Sequence, residues 1–108
     1  MVLVDTSPGS IMLRWEDGLV IEAFYGFKYK QCVRVQGKYT TSQLCSEGSV
    51  VVSYKNRGII IDGNFAMILR KQIENKIITN DYYGIKMPEA LWEDVRQTAF
   101  DIMSRLLP

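Results

Sequence analysis

The chain has 108 residues, 47% of them hydrophobic, with 13 basic and 12 acidic side chains and no histidine. This length suits a single domain with one modest core, and the hydrophobic content excludes an intrinsically disordered chain. No apolar run approaches the ~20 residues of a transmembrane helix. Because histidine is the most frequent general base and zinc ligand, its absence predicts a non-enzymatic protein without a cofactor or metal.

Two features of the sequence bear on cellular location. Residues 1–10 lack the basic start and apolar segment of a secretory signal, so we expect an intracellular protein. Cys32 and Cys45 are too far apart for a Cys-x-x-Cys motif, and two reduced thiols fit that location. A disulfide between them is the alternative.

The charges are unevenly distributed although the net charge is only +1. Residues 23–73 carry eight basic and two acidic side chains, a local charge of +6, whereas the segments on either side are acidic overall. If the strands of this middle segment share a face, they present a positive surface. The alternative is that these cations are simply solvent-exposed side chains on the outer sides of strands.

After the lead-in, the chain predicts a first β-hairpin. Residues 11–15 and 19–24 are rich in strand formers, and Glu16-Asp17-Gly18 between them suits a three-residue loop with Gly18 in a left-handed conformation. The two carboxylates at its tip predict a solvated turn rather than a catalytic pair.

A second hairpin, predicted to turn at Gln36-Gly37, carries the basic pattern. Strict alternation along residues 27–35 divides the side chains between two faces, and the basic face consists of Lys28, Lys30, Cys32 and Arg34. The opposite face is aromatic and apolar for most of its length. Basic strands interleaved with aromatic residues are typical of single-stranded nucleic-acid binding.

A third hairpin is the most apolar and predicts much of the core. Residues 49–54 and 59–62 flank a four-residue turn, so Lys55 and Arg57 lie beside Tyr54 as a second basic and aromatic cluster.

Residues 65–76 are ambiguous between strand and helix. Asp62-Gly63-Asn64 suits a hairpin turn into a strand, whereas helical spacing is shown by Phe65, Ile68, Leu69 and Ile73. We favour a strand over residues 65–70, with residues 77–79 and 82–87 also extended.

The C-terminal segment predicts one clear helix. Pro88 suits the first helical position, and Glu89 favours the positive end of the helix dipole. The apolar side chains fill an arc of about 180°, wider than the ~100° stripe needed to cover one surface. The surplus predicts a homo-oligomer interface formed by Trp92, Phe100, Met103 and Leu107, with a simple intramolecular core as the alternative.

Together these elements predict an α+β domain covering residues 1–108. Residues 1–10 are a lead-in, residues 11–87 are mostly β, and residues 88–107 form the helix. About eight strands, arranged as antiparallel hairpins, would form a curved sheet or two sheets closed by the C-terminal α-helix.

The second half of the chain resembles two families of single-stranded-DNA-binding proteins. Residues 50–62 resemble the first basic-turned hairpin of the transcriptional coactivator family known as positive cofactor four, and residues 84–92, Gly-Ile-Lys-Met-Pro-Glu-Ala-Leu-Trp, resemble its last strand and helix start. Residues 79–82, Thr-Asn-Asp-Tyr, and the apolar end of the helix are similar to the close of plant Whirly proteins. The resemblance implies a helix-backed sheet that binds single strands as an oligomer, with contacts at Tyr54, Lys55, Arg57 and Phe65.

These observations predict sequence-tolerant binding of single-stranded DNA or RNA through a basic and aromatic sheet face. Cations would neutralise phosphates while rings stack on bases. The expected contact residues are Tyr25, Lys28, Tyr29, Lys30, Arg34, Lys38, Tyr39, Tyr54, Lys55, Arg57, Phe65, Arg70 and Lys71. The alternative function is a protein-interaction module, a small adaptor or inhibitor with a pleckstrin-homology-like barrel and C-terminal helix, whose basic face binds an acidic partner.

Overall fold

The computed structural model describes residues 1–7, 10–24, 29–36, 39–46, 48–80 and 85–107, and at residues 7, 29–36, 39–46, 77–80 and 85 it describes the backbone alone. The chain is an α+β domain with an antiparallel six-stranded sheet, a two-stranded ribbon and a helix at its C-terminal end. The predicted fold class and the predicted C-terminal helix are confirmed.

The structure describes eight strands, and all of their pairings are antiparallel. They are β1 (Val2–Ser7), β2 (Ser10–Trp15), β3 (Val20–Phe24), β4 (Tyr29–Gln36), β5 (Tyr39–Ser46), β6 (Val50–Tyr54), β7 (Arg57–Ile61) and β8 (Ile85–Met87). The sheet has the order β7-β6-β3-β2-β1-β8, and β4 pairs with β5 as a separate ribbon. In the part of the chain that the structure describes, the sheet is open, with β7 and β8 at its edges, and is not the closed barrel considered from the sequence.

All three predicted hairpins are present. In the first, Leu13 is opposite Ile21, and Gly18 has a φ of +96° in the loop, as expected. In the ribbon, Gln36 is opposite Tyr39. The third hairpin has a tighter turn than predicted, because Tyr54 pairs with Arg57 and leaves only two residues between the strands.

The predicted strand over residues 65–70 is wrong. Helix α1 runs over Gly63–Asn80, and it includes residues 77–79, which were also predicted to be extended. Ala66, Leu69 and Ile73 are all buried against the core, a spacing of three and four residues that belongs to one face of a helix. The turn-like sequence Asp62-Gly63-Asn64 favoured a strand, but it is the helical spacing already visible in residues 65–73 that the structure adopts.

The sheet order explains why a long helix is needed at this place. β7 and β8 lie at opposite edges of a six-stranded sheet, so the connection must cross five strand spacings, roughly 24 Å at about 4.8 Å each. An 18-residue helix spans roughly 27 Å at about 1.5 Å per residue. α1 therefore carries the chain across the sheet from one edge to the other.

The predicted C-terminal helix is divided into two parts. A short 3₁₀ helix covers Glu89–Trp92 and continues into α2, Glu93–Leu106. Pro88 has a ψ of 138°, so it precedes the helix as an extended residue and does not occupy its first turn. At the other end, the Leu107 N–H donates to the Met103 carbonyl at 2.8 Å.

Both helices cover one face of the sheet and form the main core with it. The largest side chains in this core that are fully buried are Trp92, Leu13, Leu19, Ile21, Ile61, Leu69, Ile73 and Met87. A smaller cluster on the opposite face contains Phe24, Val51 and Ile60. The backbone of β4 lies close to β6 and β7, which places the ribbon beside this end of the sheet.

Candidate functional site

A groove of about 420 Å³ lies between the tip of the third hairpin and one flank of α2. Tyr54 ends β6 and Arg57 begins β7, so the tight turn brings both side chains to the helix side of the sheet. We call this feature the α2 groove, and it is lined by Tyr54, Arg57, Phe100, Met103, Ser104 and Leu107. Its volume lies within the ~300–1,000 Å³ usual for ligand pockets.

The aromatic wall of the α2 groove is a perpendicular ring pair. The ring centroids of Tyr54 and Phe100 are 5.0 Å apart, with an interplanar angle of 90°. The ammonium of Lys55 lies 5.2 Å from the Tyr54 centroid, and the guanidinium of Arg96 lies 5.0 Å from that of Phe100. Because edge-to-face and cation–π contacts both favour these positions, each ring already has favourable neighbours within the chain.

An ion pair fixes this wall to the first hairpin. Arg96 donates to both carboxylate oxygens of Asp17, at 3.2 Å for the Nη1–Oδ1 contact. The hydrogen bond from Arg96 lowers the pKa of the Asp17 carboxyl, and the same bond raises the pKa of Arg96. The predicted turn at Glu16-Asp17-Gly18 therefore also holds α2 in place, through the ion pair between Asp17 and Arg96.

Two cations lie at the rim of the α2 groove, Arg57 in its lining and Lys55 beside the Tyr54 ring. Lys55 and Arg57 are exposed, and neither forms an ion pair with any carboxylate that the structure describes. Lys55 also has a φ of 56°, an uncommon conformation for a residue other than glycine, which the two-residue turn imposes. The rim of the α2 groove is thus positively charged and open to an anionic group.

The polar capacity inside the α2 groove is small. The Ser104 hydroxyl donates to the Asp101 carbonyl at 2.9 Å, within its own helix. The remaining lining consists mostly of ring and aliphatic carbon. The floor therefore favours an apolar group, while the rim favours a negative charge.

Three of the predicted nucleic-acid contacts lie away from this site. Phe65 packs on the opposite flank of α2, in a second groove between the two helices. The Arg70 guanidinium packs against Gly48, at the far end of β6 from Tyr54. Lys71 is exposed on α1. The structure brings together only Tyr54, Lys55 and Arg57 from this part of the prediction.

Lys30 and Arg34 of the second hairpin lie in strand β4 of the ribbon. Tyr25, Lys28 and Lys38 lie outside the described residues. Only the backbone is described at four further predicted contacts, Tyr29, Lys30, Arg34 and Tyr39. The ribbon backbone runs close to β7, whose first residue is Arg57, so the two basic clusters are on neighbouring elements.

The residues predicted for an oligomer interface take part in contacts within the chain. Trp92 is fully buried in the core and Met103 is nearly so. Phe100 and Leu107 are half-buried, pack on the core and line the α2 groove. The wide apolar arc of the helix is therefore used by the sheet and by the tip of the third hairpin, a contact that sequence periodicity does not reveal.

Neither a membrane-spanning helix nor a metal-binding group of side chains is found among the described residues. No described helix is both long enough and apolar enough to cross a membrane. Within the same residues, no three side chains among cysteine, aspartate and glutamate are grouped to hold a metal ion.

Comparisons with known proteins leave the function to be argued from this geometry. The resemblance to the positive-cofactor-four and Whirly families stays a prediction from short motifs. No family model, curated protein or solved structure matches the chain.

Proposed function

We propose that the protein is a non-enzymatic interaction module that binds an acidic segment of another protein in the α2 groove. The observation that carries this proposal is an apolar groove with cations on its rim that lack carboxylate partners among the described residues. A peptide that places a large apolar side chain on the floor and a neighbouring carboxylate near Arg57 would complement both features.

The chemistry of the floor favours a protein side chain over a nucleobase. The polar side chains that line the α2 groove are Tyr54, Arg57 and Ser104, and the Ser104 hydroxyl already donates within α2, so a base on the apolar floor would leave part of its polar edge without hydrogen-bond partners. An unsatisfied buried polar group costs about 1–3 kcal/mol. A leucine or phenylalanine side chain has no such cost, and its full burial contributes about 1.5–3 kcal/mol.

Capped peptides provide a direct test. One peptide carries a phenylalanine flanked by glutamates, and its matched control carries lysines in place of the glutamates. We expect the acidic peptide alone to shift the backbone amide NMR signals of Arg57, Ser104 and Leu107. Replacing its phenylalanine with alanine should weaken binding roughly 10- to 150-fold if the ring is fully buried.

Charge variants of the protein complete this test. Arg57→Glu should weaken binding of the acidic peptide several-fold, because a rim ion pair contributes about 0.2–1 kcal/mol and reversal adds repulsion. Lys71→Glu is the matched control, since Lys71 is exposed on α1 away from the groove. Equal binding of the two peptides, or equal binding by both variants, would reject the α2 groove as an acidic-peptide site.

Single-stranded nucleic-acid binding is the second candidate, supported by the proximity of the ribbon backbone to β7. If Lys28 and Lys30 on one side and Lys55 and Arg57 on the other share a surface, an oligothymidine should bind with a steep salt dependence. Lys28→Ala with Lys30→Ala should then lower the salt slope by ~0.7 for each phosphate that is no longer neutralised. Tyr54→Ala should weaken binding by about 1–3 kcal/mol without changing that slope. An oligothymidine that does not bind at low salt would remove this candidate.

A further inference from the structure

The flank of α2 opposite the α2 groove has a different surface. A groove of about 210 Å³ runs between the two helices, lined by Phe65, Ile68, Thr98, Asp101, Ile102 and Arg105. We call it the helix-pair groove. The helices around it are joined by a Gln72–Thr98 hydrogen bond of 3.1 Å and a Lys76–Asp94 ion pair of 2.7 Å. These contacts hold together the two helices that form the walls of the groove.

One large apolar side chain projects from the lining of the helix-pair groove. Ile68 of α1 is 48% exposed, among the most exposed large hydrophobic residues of the described chain. Isolated exposed apolar residues are common, but one that projects from an apolar groove beside the partly buried Phe65 forms a surface suited to a protein contact. Leu106 of α2 is equally exposed, so both helices keep some apolar surface outside the core.

The charges of the helix-pair groove are balanced. Asp101 and Arg105 lie one helical turn apart on the same flank of α2, and neither forms an ion pair within the part of the chain that the structure describes. The Asp101 carboxylate accepts a hydrogen bond from the neutral Gln97 side chain, at 3.1 Å. The surface therefore has one uncompensated charge of each sign, beside both a projecting side chain and a groove.

We propose that this face binds a second copy of the same chain in a two-fold symmetric dimer. A two-fold contact requires a self-complementary surface, in which each residue and its counterpart exchange roles between the copies. Ile68 of each copy supplies an apolar group for the groove of the other. Asp101 of each copy pairs with the partner's Arg105.

The balance of charge distinguishes this face from the α2 groove. The α2 groove has Lys55 and Arg57 on its rim, so two copies facing each other there would repel. The helix-pair groove has no such excess and would not favour a strongly acidic or basic partner. The two surfaces lie on opposite flanks of α2, so dimerisation leaves the α2 groove open and is independent of the proposed peptide binding.

Sedimentation velocity over a protein concentration series, from about 1 to 500 μM, tests the dimer. We expect a reversible monomer–dimer equilibrium, and Ile68→Glu should weaken it about a hundredfold or more because the change occurs twice in a two-fold interface. Leu91→Glu is the matched control, since Leu91 is an exposed apolar residue in the 3₁₀ helix and does not line this groove. Circular dichroism of each variant checks that the fold is retained.

Exchanging the charges of Asp101 and Arg105 distinguishes loss of the proposed ion pair from a general loss of stability. Asp101→Arg alone and Arg105→Asp alone should each weaken the dimer, and the double variant should restore most of the original dissociation constant. The proposal is overturned if the parent protein is a monomer throughout the series. It is also overturned if Ile68→Glu dimerises as the parent does, or if the double variant is no better than the single ones.

Discussion

Truncation of Leu69 to alanine should destabilise the protein far more than truncation of Met67. Leu69 is completely buried in the core, whereas Met67 is nearly half exposed. Leu→Ala in a packed core costs about 2–5 kcal/mol, while a surface change of this kind stays within about 0.5 kcal/mol. With an m-value of about 2 kcal/mol per molar urea, the Leu69→Ala midpoint should fall by roughly 1–2.5 M.

Urea unfolding followed by tryptophan fluorescence measures both variants at a concentration at which the protein is monomeric. The comparison is decisive because the two positions share a face in a strand but not in a helix. Similar losses for Leu69→Ala and Met67→Ala would indicate a two-residue period and refute the helical packing of α1. A loss only at Leu69 agrees with burial every three to four residues.

Two further predictions concern the ends of the sheet. Gly48→Ala and Gly18→Ala should both destabilise by about 1 kcal/mol or more, because both glycines have a φ near +90°. Thermal unfolding should show losses of similar size, because a Cβ at Gly48 would meet the far end of the Arg70 side chain, which can move, and nothing lies within 4 Å at Gly18; a loss well below about 1 kcal/mol at either position would contradict the left-handed conformation there. Because folding lowers the pKa of Asp17, its charged carboxylate should stabilise the fold at pH values above the ordinary pKa of 3.8. This contribution should be lost as the pH falls through the lowered pKa of the folded state. Stability measured from pH 6 to 2 should therefore show a smaller acid dependence in Asp17→Asn and in Arg96→Gln, and an unchanged profile in both would show that the ion pair contributes nothing.

Local patterns were sufficient to predict the hairpins. Each had a pair of strand-forming runs separated by turn residues, and such contacts depend on residues close in sequence. The C-terminal helix was also evident from its period, although Pro88 precedes the helix instead of occupying its first turn. The α+β class follows from these elements alone.

Information from distant residues was needed for α1 and for the candidate site. The apolar run at residues 65–69 fits either secondary structure locally, and the choice depends on the need to connect opposite edges of the sheet. In the α2 groove, the Tyr54 ring contacts the Phe100 ring of α2. Asp17 accepts a hydrogen bond from Arg96, which is 79 residues away in the sequence. No pattern in a single sequence indicates such pairs, so the contact between Phe100 and Tyr54 could not be predicted.

The sheet order also has a consequence for folding during synthesis. Five of the six strands of the main sheet precede residue 62, while both helices and β8 follow it. A nascent chain of this length would therefore expose the apolar face that later packs against the helices, including Leu13 and Ile21. The pairing of Val2 with Met87 can form only after most of the chain has been made. We expect the domain to fold after synthesis of α2, slowly for its size because of these distant contacts, and to be prone to aggregation if synthesis stops within α1.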